Sequence, residues 1–150
     1  MKYHNITKDD MLNGDGLRVV LWVAGCEHKC KGCHNPITWN RESGADFTNE
    51  VKKELFSELK KEHIAGLTLS GGDPLATFNR AEITDLVKEI KEKYPDKTIW
   101  IYTGYSYEEI KDLPIIEYID VLCDGKFILE KKDTSIPWVG SSNQRVIRLK

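Results

Sequence analysis

Three cysteines near the start of the chain carry the strongest chemical signal in this sequence. Cys26, Cys30 and Cys33 follow the spacing C-x3-C-x2-C within residues 25–35, named here the cysteine loop. Three thiolates this close in sequence can hold one metal centre without ligands from distant parts of the fold. A 4Fe–4S cube has four irons that each need a ligand, so three cysteines leave one iron open. An open coordination position is typical of a metal site that does chemistry.

A structural zinc site is the alternative, with His28 or His34 as its fourth ligand. Structural zinc sites usually combine two close cysteines with a second, distant pair, and this sequence has no distant pair. Cys123 is the remaining cysteine, and as a fourth ligand it would close the cluster. A lone cysteine beside Val121 and Leu122 is more often a small core residue, which is the interpretation we favour.

A glycine-rich acidic segment is the second candidate site. Residues 70–74 read Ser-Gly-Gly-Asp-Pro and are named here the Gly-Gly-Asp loop. The two glycines let backbone carbonyls and amides approach a ligand closely, and Asp73 adds a negative group. Together they suit a cationic amine such as the α-ammonium group of an amino acid. The alternative is a plain tight turn, and an open cluster nearby favours the ligand site.

Four other polar or glycine-rich segments have both a functional and a structural interpretation. Residues 14–18 form either a binding loop or a simple glycine turn. Tyr105, in the Thr-Gly-Tyr run at 103–105, could stack on a purine or merely pack. Lys126 could bind a carboxylate or phosphate, or remain solvated. Residues 140–145 are dense in hydrogen-bond donors and could grip a partner's backbone or cap a loop.

Composition places the chain among ordinary globular proteins. The 150 residues suit one domain, 1–150, with 40% hydrophobic and 31% charged residues and a net charge of −2. We therefore expect no nucleic-acid partner and no membrane association. No signal-peptide pattern opens the sequence, so we expect a cytoplasmic protein, in which clustered cysteines bind metal more often than they form disulfides.

Strand-like and helix-like segments alternate along the chain. Strands are predicted over residues 17–24, 65–70, 98–102, 118–123 and 145–149, and helices over 48–63, after Asn79 with a capping box to Glu82, and after Ser106 with one to Glu109. This alternation predicts an α/β fold with parallel strands. The chain is too short for a complete eight-fold barrel, so we expect an incomplete, open TIM-type barrel.

Four of the candidate segments each follow a predicted strand directly. The cysteine loop follows the first, the Gly-Gly-Asp loop the second, residues 103–105 the third and residues 124–126 the fourth. Parallel α/β folds place their ligand sites at the carboxyl ends of the strands. The sequence therefore predicts that these four segments converge on one edge of the sheet.

The motifs together resemble those of the radical S-adenosylmethionine enzymes, whose signature is C-x3-C-x2-C followed by a Gly-Gly-acid motif. The chain is most similar to the short activating proteins of glycyl-radical enzymes, and among them to those of anaerobic ribonucleoside-triphosphate reductase. The segments that carry the similarity are 13–18, 25–35, 38–39, 67–74, 102–105, 124–127 and 140–145. Two departures are Gly32 and His34, which flank the third cysteine where aromatic residues are common. A third is Asp73 in place of a glutamate.

The resemblance implies a radical S-adenosylmethionine fold, a reaction and a set of site residues. The three cysteines would hold a 4Fe–4S cluster, whose open iron would bind the amino and carboxylate groups of S-adenosylmethionine. Reductive cleavage would give methionine and a 5′-deoxyadenosyl radical, which takes a hydrogen from a glycine of the reductase large subunit. The implied cofactor-binding residues are Gly32, His34, Ser70, Gly71, Gly72, Asp73, Thr103, Asp124 and Lys126. The implied partner contacts are Arg18, Tyr105, Asn143, Gln144 and Arg145.

The same resemblance implies a flavodoxin-like electron donor. Two alternatives within the enzyme class remain open: an activase of another glycyl-radical enzyme and a different small radical S-adenosylmethionine enzyme. A zinc-binding interaction module without enzymatic activity is the alternative outside it.

Overall fold

A mixed sheet flanked by helices forms the framework of the protein. The computed structural model describes residues 1–28, 30–33 and 39–150. The strands are β1 Lys2–Asp10, β2 Arg18–Val23, β3 Ala45–Asp46, β4 Gly66–Gly71, β5 Thr98–Tyr102, β6 Val121–Asp124 and β7 Arg145–Arg148. The helices are α1 Asn49–Leu59, α2 Arg80–Lys93 and α3 Tyr107–Ile110, with 3-10 turns at Pro114–Tyr118 and Leu129–Lys131. In the part of the chain described here, no helix has the length and apolar character needed to cross a bilayer.

The sheet has seven strands in the order β3-β1-β2-β4-β5-β6-β7. Strands β2, β4, β5 and β6 are parallel, which confirms the four strands predicted around the candidate segments. The outer strands β1, β3 and β7 are antiparallel, so the expectation of parallel strands holds only for the centre of the sheet. The sheet does not close, and the expected partial barrel is not confirmed.

Strand β1 has no counterpart in the sequence prediction. Its residues, KYHNITKDD, are mostly polar and lack a clear alternation of buried and exposed positions. The strand exists because it pairs with β2. Residues 11–17 connect the two strands and are too few for a parallel crossover, so the pair is antiparallel. Long-range pairing, rather than local preference, therefore defines this edge of the sheet.

The central strands are buried on both faces, which explains their nearly continuous apolar sequences. One face packs on the helices, and its buried residues include Val19, Leu21, Leu67, Leu69, Ile99, Ile101 and Leu122 from the strands with Leu55, Leu59, Ile83, Val87 and Ile90 from the helices. The opposite face carries a smaller cluster of Trp100, Val121 and Cys123, against which Tyr102, Trp138, Val139 and Val146 pack. The candidate site lies on this second face.

The helix starts follow the predictions with one exception. Thr48 caps α1 through a bond from the Val51 amide, and Ser106 forms the expected capping box with Glu109 before α3. The capping box predicted between Asn79 and Glu82 is wrong. The Asn79 side chain makes no cap bond, and instead donates to the carbonyls of Ala24 at 3.0 Å and Asp73 at 3.3 Å. Asn79 thereby ties the base of the cysteine loop to the Gly-Gly-Asp loop, because two buried carbonyls there need a donor.

Arg18 lies at the amino end of β2, opposite the edge that carries the cysteine loop. Its guanidinium is 1% exposed, and its five N–H groups donate to Thr68 Oγ1, Thr98 Oγ1 and the carbonyls of Asp15, Leu67 and Thr98. Burial lowers the pKa of Arg18 to about 10, so the side chain stays charged at neutral pH. Every donor of Arg18 is satisfied inside the protein, and its predicted contact with a partner stays a prediction.

We expect Arg18→Leu to lower the free energy of unfolding by about 3 kcal/mol, because the substitution leaves several buried acceptors without donors. Arg148→Leu is the matched control. Arg18 and Arg148 lie 5.6 and 5.7 Å from the same Trp100 ring, but the Arg148 side chain is 58% exposed. The control should cost less than about 1 kcal/mol. Urea unfolding measures both, and equal losses in the two variants would contradict the assigned role of Arg18.

Candidate active site

A cavity of about 320 Å³ opens at the carboxyl ends of the parallel strands. Its volume falls in the range of small-molecule sites. All four candidate segments contribute to its wall, which confirms the prediction that they converge on one edge. The lining includes Cys26, His28, Cys30 and Cys33 from the first segment, Ser70 to Asp73 from the second, Thr103 and Gly104 from the third, and Gly125 and Phe127 from the fourth.

The cysteine loop is shaped by backbone hydrogen bonds and one turn. The Cys26 amide donates to the Trp39 carbonyl at 3.1 Å, and the Cys33 amide donates to the Cys30 carbonyl at 3.1 Å. Gly32 makes this second turn with a φ of 76°, and a Cβ there would lie 2.9 Å from Leu129. Glycine therefore suits this position on both backbone and packing grounds. All three cysteines are half-buried, and none of them forms a disulfide.

The surroundings of Cys30 bear on its use as a ligand. Burial raises the pKa of this thiol, whereas a hydrogen bond from the Phe127 backbone amide and the nearby Lys126 ammonium lower it. Hydrogen bonds to sulfur and local charge also set the reduction potential of an iron–sulfur cluster. Lys126 is exposed, and its contribution here is electrostatic. The segment after β6 thus acts directly on one cysteine of the loop.

The possible metal ligands of the cysteine loop include three thiols and two imidazoles. Among the described residues, no three His, Cys, Asp or Glu side chains converge closely enough to hold one metal ion. His28, one of the two candidate zinc ligands, is hydrogen-bonded to Asp73 through Nε2. His34, the other candidate and an expected cofactor-binding residue, lies outside the described residues, as does Thr38. Three thiols on one cavity wall suit the corners of an iron–sulfur cube.

Asp73 of the Gly-Gly-Asp loop does not point into the cavity as a free carboxylate. It is 1% exposed, and its oxygens accept from the Leu75 amide at 2.9 Å, Thr103 Oγ1 at 2.8 Å, the Gly104 amide at 2.9 Å and His28 at 2.7 Å. The Asp73 carboxylate is thus engaged within the protein, and its assignment to the cofactor amine stays a prediction.

The neighbouring residues of the same loop remain candidates for the amine. Ser70, Gly71 and Gly72 line the cavity, and all three are partly exposed. The Gly72 amide donates to the Val23 carbonyl at 2.9 Å, and the Asp73 amide donates to the Gly25 carbonyl at 2.7 Å. These bonds join the Gly-Gly-Asp loop to the base of the cysteine loop. Carbonyl groups, rather than a carboxylate, are the acceptors that this loop can present.

Asp124 and Arg145 form an ion pair with each other. Asp124 is 1% exposed and accepts from the Tyr107 amide at 2.8 Å as well as from the Arg145 guanidinium. Arg145 also donates to Glu108 at 2.8 Å, and these two carboxylates raise its pKa. Each therefore has its counter-ion within the chain, and the assignments of Asp124 to a cofactor and of Arg145 to a partner stay predictions.

The segment around Asn143 and Gln144 caps the loop that follows β6. Asn143 Nδ2 donates to the Lys126 carbonyl at 2.8 Å, and Gln144 Nε2 donates to the Gly125 carbonyl at 2.9 Å. Of the two interpretations offered by the sequence, the structure therefore has the loop cap, with Gln144 still reaching the cavity wall. Tyr105 lies elsewhere, against the His28 ring, with its hydroxyl 3.2 Å from Glu27.

Cys123 lies on the inner face of β6, beside Trp100 and Val121. It is 2% exposed, and burial raises the pKa of its thiol to about 12. A protonated thiol in an apolar cluster has the character of a small core residue. Its side chain nevertheless borders the same cavity as the three loop cysteines.

A second cavity, of about 420 Å³, lies between α1 and the end of α2. Four lysines line it together with Phe56 and Tyr94: Lys52, Lys53, Lys60 and Lys93. The lining contains no thiol, imidazole or carboxylate. The chemistry of the cysteine loop therefore identifies the other cavity as the candidate active site.

Two residues at the site have roles that the sequence did not indicate. His28 appears in the sequence only as a possible zinc ligand, but it pairs with Asp73 across 45 positions. Asn79 reads as a helix cap, but it joins two loops. The location of His28 within the cysteine loop was a signal of importance. No local pattern identifies either partner, because both contacts form only when separate strand ends meet.

Comparison with known proteins supports the iron–sulfur assignment. A family model described as a 4Fe-4S single cluster domain matches residues 12–147. The chain is 51% identical to the anaerobic ribonucleoside-triphosphate reductase-activating protein of Enterobacteria phage T4, covering 97% of this chain and 93% of the relative. It is 44% identical to the protein of that name from Vibrio cholerae, covering 99% and 98%, and 42% identical to that of Escherichia coli K12, covering 100% of both.

These similarities extend over the whole chain and include the strands, loops and cavity described above. The chain belongs to the family of anaerobic ribonucleoside-triphosphate reductase-activating proteins.

Proposed function

We propose that this chain is the activating enzyme of an anaerobic ribonucleoside-triphosphate reductase and places a glycyl radical on the large subunit of that partner. The observation that carries the proposal is the convergence of the three cysteines, none of them in a disulfide, and the Gly-Gly-Asp loop on one cavity. The names of the relatives supply the partner.

Each element of the cavity has a role in this proposal. Cys26, Cys30 and Cys33 would hold a 4Fe–4S cluster with one iron left for S-adenosylmethionine. When reduced, such a cluster would supply the electron for reductive cleavage of the sulfonium. The carbonyls of Ser70, Gly71 and Gly72 would accept hydrogen bonds from the amino group of S-adenosylmethionine. Asp73 would hold those carbonyls in place through its bonds to three neighbouring segments.

The face of the sheet that carries the cavity is open, which offers a loop of the partner a route to the cavity. Strands β2, β4, β5 and β6 form the wall behind the cavity, and the sheet ends at β7 without closing. We propose that this sheet is part of a TIM-type barrel whose missing strands leave room for a glycine-bearing loop. A flavodoxin-like protein would supply the electron, and the cytoplasm, where thiols remain reduced, would be the compartment.

Activation of a different glycyl-radical enzyme is the nearest competing function, because the same cluster and loop would serve it. Another small radical S-adenosylmethionine enzyme would use them equally well. The zinc-binding module is the alternative that metal analysis tests directly. A brown protein containing iron and sulfide after anaerobic purification would separate a cluster from a single zinc.

Substitution of the loop cysteines tests the ligand assignment. We expect Cys26→Ala, Cys30→Ala and Cys33→Ala each to lose the cluster, because two thiolates do not hold the cube. Cys123→Ala is the matched control and should keep it. Iron and sulfide per chain are measured after anaerobic reconstitution, with circular dichroism to verify folding. A folded Cys123→Ala protein that lacks iron would show that the cluster has four cysteine ligands.

Radical transfer tests the partner. The reconstituted protein is mixed under argon with a reductant, S-adenosylmethionine and either anaerobic ribonucleotide reductase or another glycyl-radical enzyme. We expect the doublet of a glycyl radical in the electron paramagnetic resonance spectrum of the reductase mixture alone. Its loss when the acceptor glycine of the reductase is replaced by alanine provides the control. A doublet only with the other enzyme would reassign the partner, and cleavage of S-adenosylmethionine without a doublet in either mixture would reject the activase function.

A further inference from the structure

His28 lies within the cysteine loop, and the proposed chemistry gives it no task. Its side chain is 6% exposed, although the loop around it is partly open to solvent. We propose that His28 is a positioning residue, which holds the cysteine loop against the Gly-Gly-Asp loop by donating a hydrogen bond to Asp73. This inference rests on the proposed function and adds to it the residue that aligns the cluster with the binding site for S-adenosylmethionine.

The His28 ring is fixed on three sides. Its Nε2 lies 2.7 Å from Asp73 Oδ2. The ring stacks edge-on against Tyr105, with 4.6 Å between centroids. The backbone of Gly104 lies so close that a Cβ there would be 2.4 Å from His28 Cδ2. Two segments, one after β4 and one after β5, thus enclose the imidazole, and a side chain at position 104 would collide with it.

Asp73 also accepts hydrogen bonds from other residues at this edge of the sheet. One of its oxygens accepts from the Leu75 amide, the other from the Gly104 amide, and both lie within 3.0 Å of Thr103 Oγ1. Among the described side chains that donate to this carboxylate, His28 is the one that belongs to the cysteine loop. Its hydrogen bond therefore fixes the middle of the cysteine loop relative to the Gly-Gly-Asp loop and residues 103–105.

A second side-chain connection of the same loop, made by Glu27, is more exposed. Glu27 accepts hydrogen bonds from the Thr77 amide at 2.9 Å and from the Tyr105 hydroxyl at 3.2 Å, and both bonds are exposed to solvent. A hydrogen bond in water contributes little net stability, whereas a buried bond to a carboxylate is stronger and leaves an unpaired group when it is removed. The buried His28–Asp73 bond is therefore the one expected to fix the loop.

Loss of the His28–Asp73 hydrogen bond should change the geometry of cofactor binding more than the retention of the cluster. The thiols of Cys26 and Cys30 flank His28 in sequence, and the carbonyls of Gly71 and Gly72 precede Asp73. A shift between these two loops changes the distance from the open iron to the groups that would hold the amine. Small errors in such an alignment have large effects on binding and rate. Loss of the hydrogen bond should thus weaken S-adenosylmethionine binding while the three thiols still hold the cluster.

The direct test compares His28→Phe with His28→Gln and with His63→Phe. Phenylalanine keeps a ring but loses the donor, whereas glutamine restores a donor. His63 is the matched control, because it pairs with Asp9 at 2.8 Å on the surface with a 52% exposed side chain. The readouts are iron and sulfide per chain and the change in the cluster's electron paramagnetic resonance spectrum on titration with S-adenosylmethionine.

We expect near-normal iron in all three variants and an approximately ten-fold weaker Kd for S-adenosylmethionine in His28→Phe. His28→Gln should recover most of this loss, and His63→Phe should match the wild type. Wild-type affinity in His28→Phe would overturn the inference, as would loss of the cluster in His28→Gln. If the wild type itself shows no spectral change with S-adenosylmethionine, the proposed function fails rather than the role of His28.

Gly104→Ala provides a second test that does not depend on the folding of His28→Phe. Its Cβ should displace the imidazole while both hydrogen-bonding partners remain present. We expect this variant to keep its cluster and to weaken the Kd for S-adenosylmethionine as His28→Phe does. An unchanged Kd in folded Gly104→Ala protein would contradict the proposed positioning role.

Discussion

The carboxylate of Asp73 is the interaction on which the functional edge of this protein depends. It is buried and accepts hydrogen bonds from its own loop, from the segment after β5 and from the cysteine loop. A buried carboxylate is costly unless several donors satisfy it, so this group strongly favours one arrangement of the three segments. The parallel strands bring these segments to the same edge, and Asp73 sets their positions relative to one another.

The two ends of the sheet use polar groups in a similar way. At the amino ends, the Arg18 guanidinium joins β2, β4 and β5 through five donated bonds. At the carboxyl ends, the Asp73 carboxylate joins three loops through accepted bonds. The apolar packing between the strands and helices supplies bulk stability, while these two buried charges specify register and loop position. A cluster site benefits from such a framework because its ligands lie on a loop rather than on a strand or helix.

The sequence was sufficient where the signal was local. The spacing of Cys26, Cys30 and Cys33 indicated a cluster, and alternating strand and helix patterns located the four parallel strands. The rule that ligand sites lie at the carboxyl ends of parallel strands correctly brought the candidate segments together. These inferences succeed because hydrophobic periodicity and short ligand spacings depend only on residues that are close in sequence.

The sequence did not predict whether a given polar side chain contacts solvent, a ligand or another part of the protein. Asp73, Asp124 and Arg145 each looked available for a ligand or partner, yet each is engaged inside the protein. Their partners lie tens of residues away, and a charged residue has no local feature that reveals its counter-ion. Strand β1 was missed for a related reason, since pairing with β2 outweighs its polar composition. The contacts of His28 belong to the same class.

The central claim is that the chain supplies three ligands to a cube and leaves one iron for S-adenosylmethionine. The most direct measurement is electron–nuclear double resonance on the reduced protein with S-adenosylmethionine carrying ¹⁵N in its amino group. We expect a ¹⁵N hyperfine coupling to the cluster, because an engaged Asp73 leaves the amine to the iron and to backbone carbonyls. A reduced cluster that shows no such coupling with bound S-adenosylmethionine would contradict it.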